Sequence, residues 1–222
     1  DDVWAIAMPM PGGHIPYSFV YLFRDAEGGL HVVDAGWDSD ENWQRFVDAV
    51  AAIGAEVDDL RTIVVTHMHP DHLGMAERMR TATGAPLVMH RAEEHALDGT
   101  NWAREALAEH LDSWGVPEDR LPELKLVMER ETSSGGAVKI DRLLEDGERI
   151  EWPGFSLEVM WTPGHTGGHF CLRDDERGLI ITGDHVLPTM HAGLGLGAPT
   201  ETNALADYLA ALRRVAAHDE HE

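Results

Sequence analysis

The chain has 222 residues, of which 43% are apolar, so it is long enough to bury a substantial core. Lys and Arg total 17 against 40 Asp and Glu, and the net charge of -23 argues against a protein that binds nucleic acid through a basic surface. No apolar stretch approaches the roughly 20 residues of a membrane span, and one cysteine, Cys171, permits no internal disulfide, so we expect a cytoplasmic protein that binds no membrane.

Strands and helices are predicted from the spacing of apolar residues in the first half. Strands are expected where short apolar runs are bounded by turn residues, and these runs cover residues 4–8, 19–23, 30–33, 62–66 and 86–89. Helices are expected where apolar residues recur three and four apart, over residues 42–53 and 74–83. This alternation of strands and helices predicts helices that pack over a sheet.

The second half begins with a different kind of sequence and then returns to strands. Residues 91–135 are polar and helical in pattern, and they form either an insertion that covers the site or a plain surface excursion. Strands are then predicted over residues 140–144, 157–161, 169–172 and 179–182. A last helix is predicted over 203–217, with Leu205, Leu209, Leu212 and Val215 on one side.

The densest cluster of metal-ligand residue types follows the strand predicted at 62–66. The run Thr66-His67-Met68-His69-Pro70-Asp71-His72 has four such residues in six positions. Extended backbone directs His67 and His69 to one point, because alternate side chains share a face. Asp71 and His72 come where the chain turns into a helix and reach a neighbouring point. Imidazole and carboxylate suit zinc, iron or manganese, so the run predicts a metal site rather than ordinary loop histidines.

Two later segments also place such residues at the ends of predicted strands. The segment Trp161-Thr162-Pro163-Gly164-His165-Thr166-Gly167-Gly168-His169 carries His165 in a glycine-rich loop. The segment Ile181-Thr182-Gly183-Asp184-His185 carries Asp184 after the next strand. Either segment alone is typical of an ordinary turn, but the three segments together indicate one site that is gathered at the edge of a sheet.

These residues give the chain a resemblance to the metallo-β-lactamase superfamily. The run from His67 to His72 matches the His-x-His-x-Asp-His signature of that family, His165 matches its next histidine, and Asp184 matches its bridging aspartate. The Thr-Pro-Gly-His-Thr and Thr-Gly-Asp segments look most like those of the glyoxalase II-type (hydroxyacylglutathione) hydrolases, which cleave thioesters. The resemblance implies an α/β (α+β) fold, a four-layer αββα sandwich with metals at one edge between the sheets.

The resemblance also implies a set of metal ligands. It assigns a first metal to His67, His69 and His165, a second metal to Asp71 and His72, and a bridging position to Asp184. Two zinc ions per chain are expected, with iron or manganese as alternatives. Two metals about 3.5–4 Å apart share one water and lower its pKa, and the resulting hydroxide attacks an acyl carbonyl. Asp71 and Asp184 are the candidate catalytic residues, because either could steer that hydroxide.

Three further residues are candidates for supporting the metal ligands. Asp34 matches an aspartate of the family that orients a metal ligand without touching the metal itself. His169 and His185 adjoin the ligand loops, and the alternative for each is an ordinary buried histidine. The glycine-rich loop over residues 190–197 follows the bridging aspartate and is expected to help shape the substrate pocket.

The resemblance sets an expectation for the domain as well. Residues 1–222 are predicted to form one domain, with the helical insertion at about 91–135. In the family, a final histidine for the second metal comes from a strand after the last helix, where this chain reads His218-Asp219-Glu220-His221-Glu222. Either His218 or His221 takes that place, or the ligand lies on a final strand beyond the residues shown, with or without a further small domain. We expect the second arrangement.

The function predicted from the sequence is hydrolysis of a small acyl substrate, most simply a thioester. The first alternative is an iron-dependent persulfide dioxygenase with one metal, which metal identity and oxygen consumption would distinguish. A nuclease and a β-lactamase of the same fold rank lower, because the surface is acidic and the residues after Asp184 differ from those of β-lactamases. A metal-binding sensory protein without turnover is the alternative outside enzymes. The expected partner is a small molecule, and a homo-oligomer is compatible with the sequence.

Overall fold

The computed structural model describes residues 2–12, 15–97, 117–122, 138–197 and 202–218. Within these ranges the strands are β1 (Val3–Pro9), β2 (Tyr17–Arg24), β3 (Leu30–Val33), β4 (Leu60–Val64), β5 (Leu87–His90), β6 (Arg142–Leu144), β7 (Arg149–Trp152), β8 (Phe155–Trp161), β9 (Phe170–Asp174) and β10 (Leu179–Ile181). The α-helices are α1 (Asp40–Ala52), α2 (Pro70–Leu73), α3 (Ala76–Thr83), α4 (Glu94–Leu97) and α5 (Ala204–Ala216). Single turns of 3-10 helix cover Val57–Asp59, Arg91–Glu93 and Glu118–Arg120.

The strands form two sheets of different construction. The first has six strands in the order β1-β2-β3-β4-β5-β6, antiparallel from β1 to β3 and parallel from β3 to β6. The second has four antiparallel strands in the order β10-β9-β8-β7. Parallel neighbours need long crossovers, and α1 and α3 lie in the crossovers from β3 to β4 and from β4 to β5.

Successive residues of a strand enter different layers of the core. In β2, Leu22 packs with Phe46 of α1 in one buried cluster, whereas the next residue, Phe23, packs with Trp152 of the second sheet in another. The reason is the two-residue period of a strand, which sends alternate side chains to opposite faces. In β4 the buried residues Ile63 and Val64 belong to the apolar run predicted at 62–66, but the strand starts two residues earlier, at Leu60, and includes the exposed Arg61.

The outer face of the second sheet is covered by the last helix. Val215 of α5 is buried together with Met160 of β8 and Cys171 of β9. The layers are therefore helix, sheet, sheet and helix, which confirms the predicted αββα sandwich. The expected apolar side of α5 was wrong in part: Leu205 is 56% exposed and Leu209 is 42% exposed, because the helix buries the face that carries Ala211 and Val215.

One further sequence expectation differs from the structure, and another lies mostly outside the described residues. The strand β7 was missed, because it has only four residues and two of them, Arg149 and Glu151, are exposed. Most of the helical region predicted at 91–135 lies outside the described residues, so its shape stays a prediction. None of the helices formed by the described residues is long and apolar enough to span a membrane.

Main-chain hydrogen bonds join the two sheets at both ends of the sandwich. The amide of Phe170 in β9 donates to the carbonyl of Thr66, directly after β4, at 3.3 Å. At the other end, the amide of Ala26 in the β2–β3 hairpin donates to the carbonyl of Pro153 in the β7–β8 turn at 2.7 Å. The first of these links lies at the edge where the predicted metal ligands meet.

Candidate metal centre

The predicted ligands come from three segments and meet at one edge of the sandwich. The first segment leaves β4 and enters α2, where Pro70 takes the first helical position that its missing N–H tolerates. The second is the loop between β8 and β9, and the third is the turn after β10. Two groups of side chains have ligand atoms within 4.8 Å of one another, and they are His67, His69, His165 and Asp184 in the first group and Asp71, His72 and Asp184 in the second.

The first group brings three imidazole nitrogens to one point. The Nδ1 atom of His69 lies 3.0 Å from Nε2 of His67 and 2.9 Å from Nε2 of His165, and these two Nε2 atoms are 3.2 Å apart. Hydrogen bonds alone cannot satisfy such a triangle, because a neutral imidazole has only one N–H. Nitrogens bound to one tetrahedral zinc at about 2.0–2.1 Å lie roughly 3.3 Å apart. The spacing therefore fits a single metal ion.

The opposite ring nitrogen of each imidazole in the first group is held by an oxygen that points away from the centre. Such a contact fixes the tautomer, so that the free lone pair faces the metal position. The three contacts join His67 Nδ1 to Thr66 Oγ1 at 3.0 Å, His69 Nε2 to the Leu196 carbonyl at 2.6 Å, and His165 Nδ1 to the Gly193 carbonyl at 2.6 Å. The loop at 190–197, expected to shape a pocket, thus supplies carbonyl oxygens that orient two ligands.

The second group is dominated by carboxylates. The Nε2 atom of His72 lies 3.2 Å from Asp184 Oδ1 and 3.4 Å from Asp71 Oδ2, and yet it is buried without a hydrogen-bond partner. A buried polar atom without a partner is costly unless something else binds it. On the other side of the ring, Nδ1 lies 2.8 Å from Asp34 Oδ2. The set fits an additional cation, and the described residues supply three ligands for it.

The two groups differ in the charge state of their histidines. Burial, followed by the charge of neighbouring imidazoles, lowers the pKa of His67 well below its usual value, and burial also lowers the pKa of His69. Both are therefore neutral, as a metal ligand must be. Burial also opposes charge on His72, but the Asp34 carboxylate, with Asp184 and Asp71, outweighs it and raises the pKa of His72 well above its usual value. The same carboxylates that stabilise a protonated His72 would also stabilise a metal cation at that place.

Asp184 connects the two groups. Its Oδ2 atom lies 3.4 Å from Nε2 of His165, and its Oδ1 atom faces His72. Burial tends to raise the pKa of Asp184, but the contact with His72 outweighs it and lowers the pKa to about 2, so the side chain is a carboxylate. It is 20% exposed, which leaves it accessible from solvent.

The turn that presents Asp184 is shaped by His169, one of the candidate supporting residues. The amide of Asp184 donates to Nε2 of His169 at 3.1 Å, and Nδ1 of His169 lies 2.8 Å from Thr162 Oγ1. Gly183 has a φ of 48°, and a Cβ atom there would lie 2.7 Å from His169 Nε2. Glycine is therefore required for Asp184 to reach the centre.

The other two candidate supporting residues lie in different surroundings. Asp34 adopts a left-handed φ of 63°, which is uncommon outside glycine, and its carboxylate accepts hydrogen bonds from the Thr66 amide and hydroxyl at 2.8 and 3.1 Å. It therefore contacts both the chain beside His67 and the ring of His72. His185 is fully buried, but its ring packs against Tyr208 with a centroid separation of 5.0 Å and belongs to neither ligand group.

The end of the described chain supplies no further ligand. The ring nitrogens of His218 lie 2.6 and 2.7 Å from the guanidinium of Arg173, and His218 is in neither group. His221, the other histidine considered for the second metal, lies outside the described residues. The source of a fourth ligand for the second group stays a prediction.

Sequence reasoning missed one buried acid beside the centre. Glu93 is 1% exposed, and it accepts a hydrogen bond from the hydroxyl of Thr166, the residue after His165. Burial raises the pKa of Glu93 to about 7. No pattern around Glu93 marks it, because the contact joins residues 73 positions apart.

A cavity of about 900 Å³ lies beside the loop that carries His165. Its wall includes Glu93 and Thr166, together with His90 and Trp161, whose rings stack at a centroid separation of 5.5 Å. Cavities that bind small molecules usually have volumes of about 300–1,000 Å³. The cavity is therefore large enough for a small organic molecule next to the ligand loop.

Comparisons with known proteins agree with this geometry. The model of the metallo-beta-lactamase superfamily matches residues 16–220. A probable metallo-hydrolase of Bacillus subtilis is 26% identical over 228 aligned positions, which cover 99% of this chain and 69% of that protein. A hydroxyacylglutathione hydrolase of Aeromonas hydrophila is 39% identical over 195 positions, which cover 88% of this chain but only 57% of that protein. The crystal structure of a metallo-beta-lactamase family protein from Thermus thermophilus matches with a TM-score of 0.80 and 29% identity, over 98% of this chain and 70% of that one.

Proposed function

This chain belongs to the metallo-β-lactamase superfamily, and on that premise we propose that it is a metal-dependent hydrolase that binds two zinc ions and cleaves a small acyl compound, most simply a thioester. The observation that carries the proposal is the position of Asp184, whose two oxygens face two separate groups of ligands. A carboxylate shared between two such groups can hold two metal ions close enough together for two-metal hydrolysis. The named activity of the Aeromonas relative supports a thioester substrate.

We propose that the six residues predicted from the sequence hold the metals: His67, His69, Asp71, His72, His165 and Asp184. When bound, the metals would activate a water molecule and polarise the acyl oxygen. The carboxylates of Asp71 and Asp184 are the candidate catalytic groups, because their side chains are 15% and 20% exposed at the centre and can accept a hydrogen bond from that water. The pKa of each is lowered by the contact with His72, despite burial, so both are ionised.

The thiol of Cys171 is not suited to act as a nucleophile. It is fully buried between the second sheet and α5, and burial raises its pKa to about 12. A thiol becomes reactive as the thiolate, which is scarce at neutral pH when the pKa is that high. Hydrolysis through a covalent enzyme intermediate on Cys171 is therefore disfavoured, and direct attack by water fits the site better.

The experiment that tests the proposal combines metal analysis with a small substrate panel. The protein is purified, its zinc, iron and manganese are measured by plasma mass spectrometry, and it is assayed with a hydroxyacylglutathione, with an acyl thioester that lacks glutathione, and with the matching oxyester. We expect two zinc ions and thioester cleavage that stops when the metals are chelated. His69→Ala should remove cleavage, whereas Arg45→Ala, at an exposed residue of α1, should not.

Other outcomes would decide for the alternatives. One iron per chain, with oxygen consumed in the presence of glutathione persulfide, would replace the proposal with the dioxygenase. Zinc binding without turnover of any acyl substrate would favour a sensory or binding role. Absence of bound metal from the folded protein would overturn the proposed site.

A further inference from the structure

We propose that Glu93 is a positioning residue that fixes the loop of His165 and thereby sets the metal affinity of the first ligand group. The inference rests on the proposed metal site and adds a residue that touches no metal ligand directly. It is drawn from two hydrogen bonds, two close approaches of backbone, and the burial of a carboxylate.

Glu93 holds the loop at two points, Thr166 and Gly168. Its carboxylate accepts a hydrogen bond from the hydroxyl of Thr166 and another from the amide of Gly168. A Cβ atom on Gly168 would lie 2.5 Å from the Glu93 amide nitrogen and 2.6 Å from its Cγ atom. The two segments are therefore in contact through backbone as well as side chain, and the loop cannot shift towards Glu93.

The opposite side of the same loop is closed by α5. Gly164 has a φ of 132°, and a Cβ atom there would lie 2.6 Å from the Cβ atom of Tyr208. His165 itself is anchored by the carbonyl of Gly193 at 2.6 Å. The loop is therefore clamped between Glu93 and Tyr208, and His165 lies within the clamped part.

A purely space-filling role does not explain a carboxylate at this position. Burying a charged or polar group is unfavourable unless hydrogen bonds compensate for the lost hydration. An apolar side chain of similar size would fill the same space without that cost. Glu93 can, however, accept two hydrogen bonds at once, one from a side chain and one from the backbone. Two such contacts hold a short glycine-rich loop in one conformation.

The test measures zinc affinity in variants that remove one contact at a time. Glu93→Ala removes the acceptor, Thr166→Val removes the hydroxyl donor at nearly constant volume, and Glu93→Gln keeps an acceptor oxygen. The matched control is Glu145→Gln, because Glu145 lines the same cavity but is exposed and pairs with Arg91. Affinities are determined by competition between Zn²⁺ and a chromophoric chelator, at a temperature where circular dichroism shows each variant folded.

We expect Glu93→Ala and Thr166→Val to weaken zinc binding at the first ligand group by about tenfold, the lower end of the effect of outer-sphere partners on metal affinity. Glu93→Gln should restore most of the affinity, and Glu145→Gln should leave it unchanged. The absorption bands of bound Co²⁺, which report ligand geometry, should shift in Thr166→Val but not in the control. A merely structural role would lower the melting temperature without moving these bands.

Wild-type affinity and an unchanged Co²⁺ spectrum in folded Thr166→Val would overturn the inference, even if Glu93→Ala failed to fold. Failure of the proposed function can be told apart from this outcome, because the wild-type protein itself would then bind no metal or cleave no substrate. If wild type and all variants bind zinc equally, only the positioning role is lost.

Discussion

The two ligand groups that share Asp184 are built on opposite principles. In the first, His69 and two other imidazoles meet a single carboxylate, and each ring is oriented by an uncharged oxygen. In the second, the single imidazole of His72 lies among the carboxylates of Asp34, Asp71 and Asp184. The first group is thus organised by hydrogen-bond geometry and the second by charge.

This difference indicates which properties each group depends on. Burial keeps His67 and His69 of the first group uncharged, so the selectivity of this group rests on the fixed positions of nitrogen atoms, which suit zinc. The second group concentrates negative charge in a mostly buried place, so its stability depends on a cation that compensates this charge. Substitutions that act on geometry and substitutions that act on charge should therefore separate the two groups.

The largest effect is expected from Asp184→Ala, which removes the carboxylate common to both groups. Zinc content should fall from two ions to fewer than one, and turnover should drop by at least about 100-fold, since even outer-sphere partners of a ligand contribute 10- to 100-fold in metal affinity. Plasma mass spectrometry after gel filtration and initial-rate assays measure both. A folded variant that retains two metals would show that Asp184 does not connect the groups.

His69→Ala and Asp71→Ala should each disable one group and spare the other. Each removes a ligand found in a single group, so we expect at least about a 100-fold loss of affinity at one of two zinc sites. Calorimetric titration of the metal-free protein with Zn²⁺ resolves the sites. If the two variants gave the same titration curve, the division into two groups would be wrong.

A smaller and more selective effect is expected from Asp34→Asn. Asparagine tolerates the left-handed conformation of this residue, so the change mainly removes the charge that lies 2.8 Å from His72 Nδ1. Affinity at the second site should fall by about 10- to 100-fold, with a lesser change at the first. The same titration is the readout, and equal losses at both sites would indicate that Asp34 acts through the backbone of Thr66 instead.

The smallest effect is expected from Tyr21→Phe. Burial, and then the charge of Asp34, raise the pKa of the Tyr21 phenol above its usual value of 10.0, although His72 acts in the opposite sense. The phenol is therefore uncharged at neutral pH and adds nothing to the charge of the second group. Zinc affinity should change by no more than about two- to threefold. A loss of tenfold or more would make Tyr21 a member of that group.

The part of the site that could be predicted is the part encoded locally. Four ligand types lie between His67 and His72, where the geometry of a strand end already directs their side chains to neighbouring points. His165 and Asp184 gave weaker signals, because their glycine-rich turns look ordinary in isolation, and they were predicted from their shared position at strand ends and then from the family resemblance. Local patterns of apolar residues also predicted most strands and helices, whereas the four layers of the sandwich were predicted through the family resemblance.

The residues that could not be predicted depend on tertiary contacts. Glu93 reaches Thr166 only after the segment that follows β5 packs against the β8–β9 loop. The carbonyl oxygens of Gly193 and Leu196 carry no side-chain signal at all, yet they orient two imidazoles. Which side of α5 is buried was likewise set by the second sheet, where Val215 meets Cys171, rather than by the leucine spacing.

The two main-chain links between the sheets restrict how the molecule can move. Because the Phe170 amide is bonded to Thr66 at the metal edge and the Ala26 amide to Pro153 at the far end, sliding of one sheet past the other would have to break both hydrogen bonds. These hydrogen bonds therefore oppose shear, a common mode of motion between packed layers, next to His67. Because the clamped loop of His165 forms part of the cavity wall, adjustment of the cavity to the size of a substrate is left to the other segments of that wall.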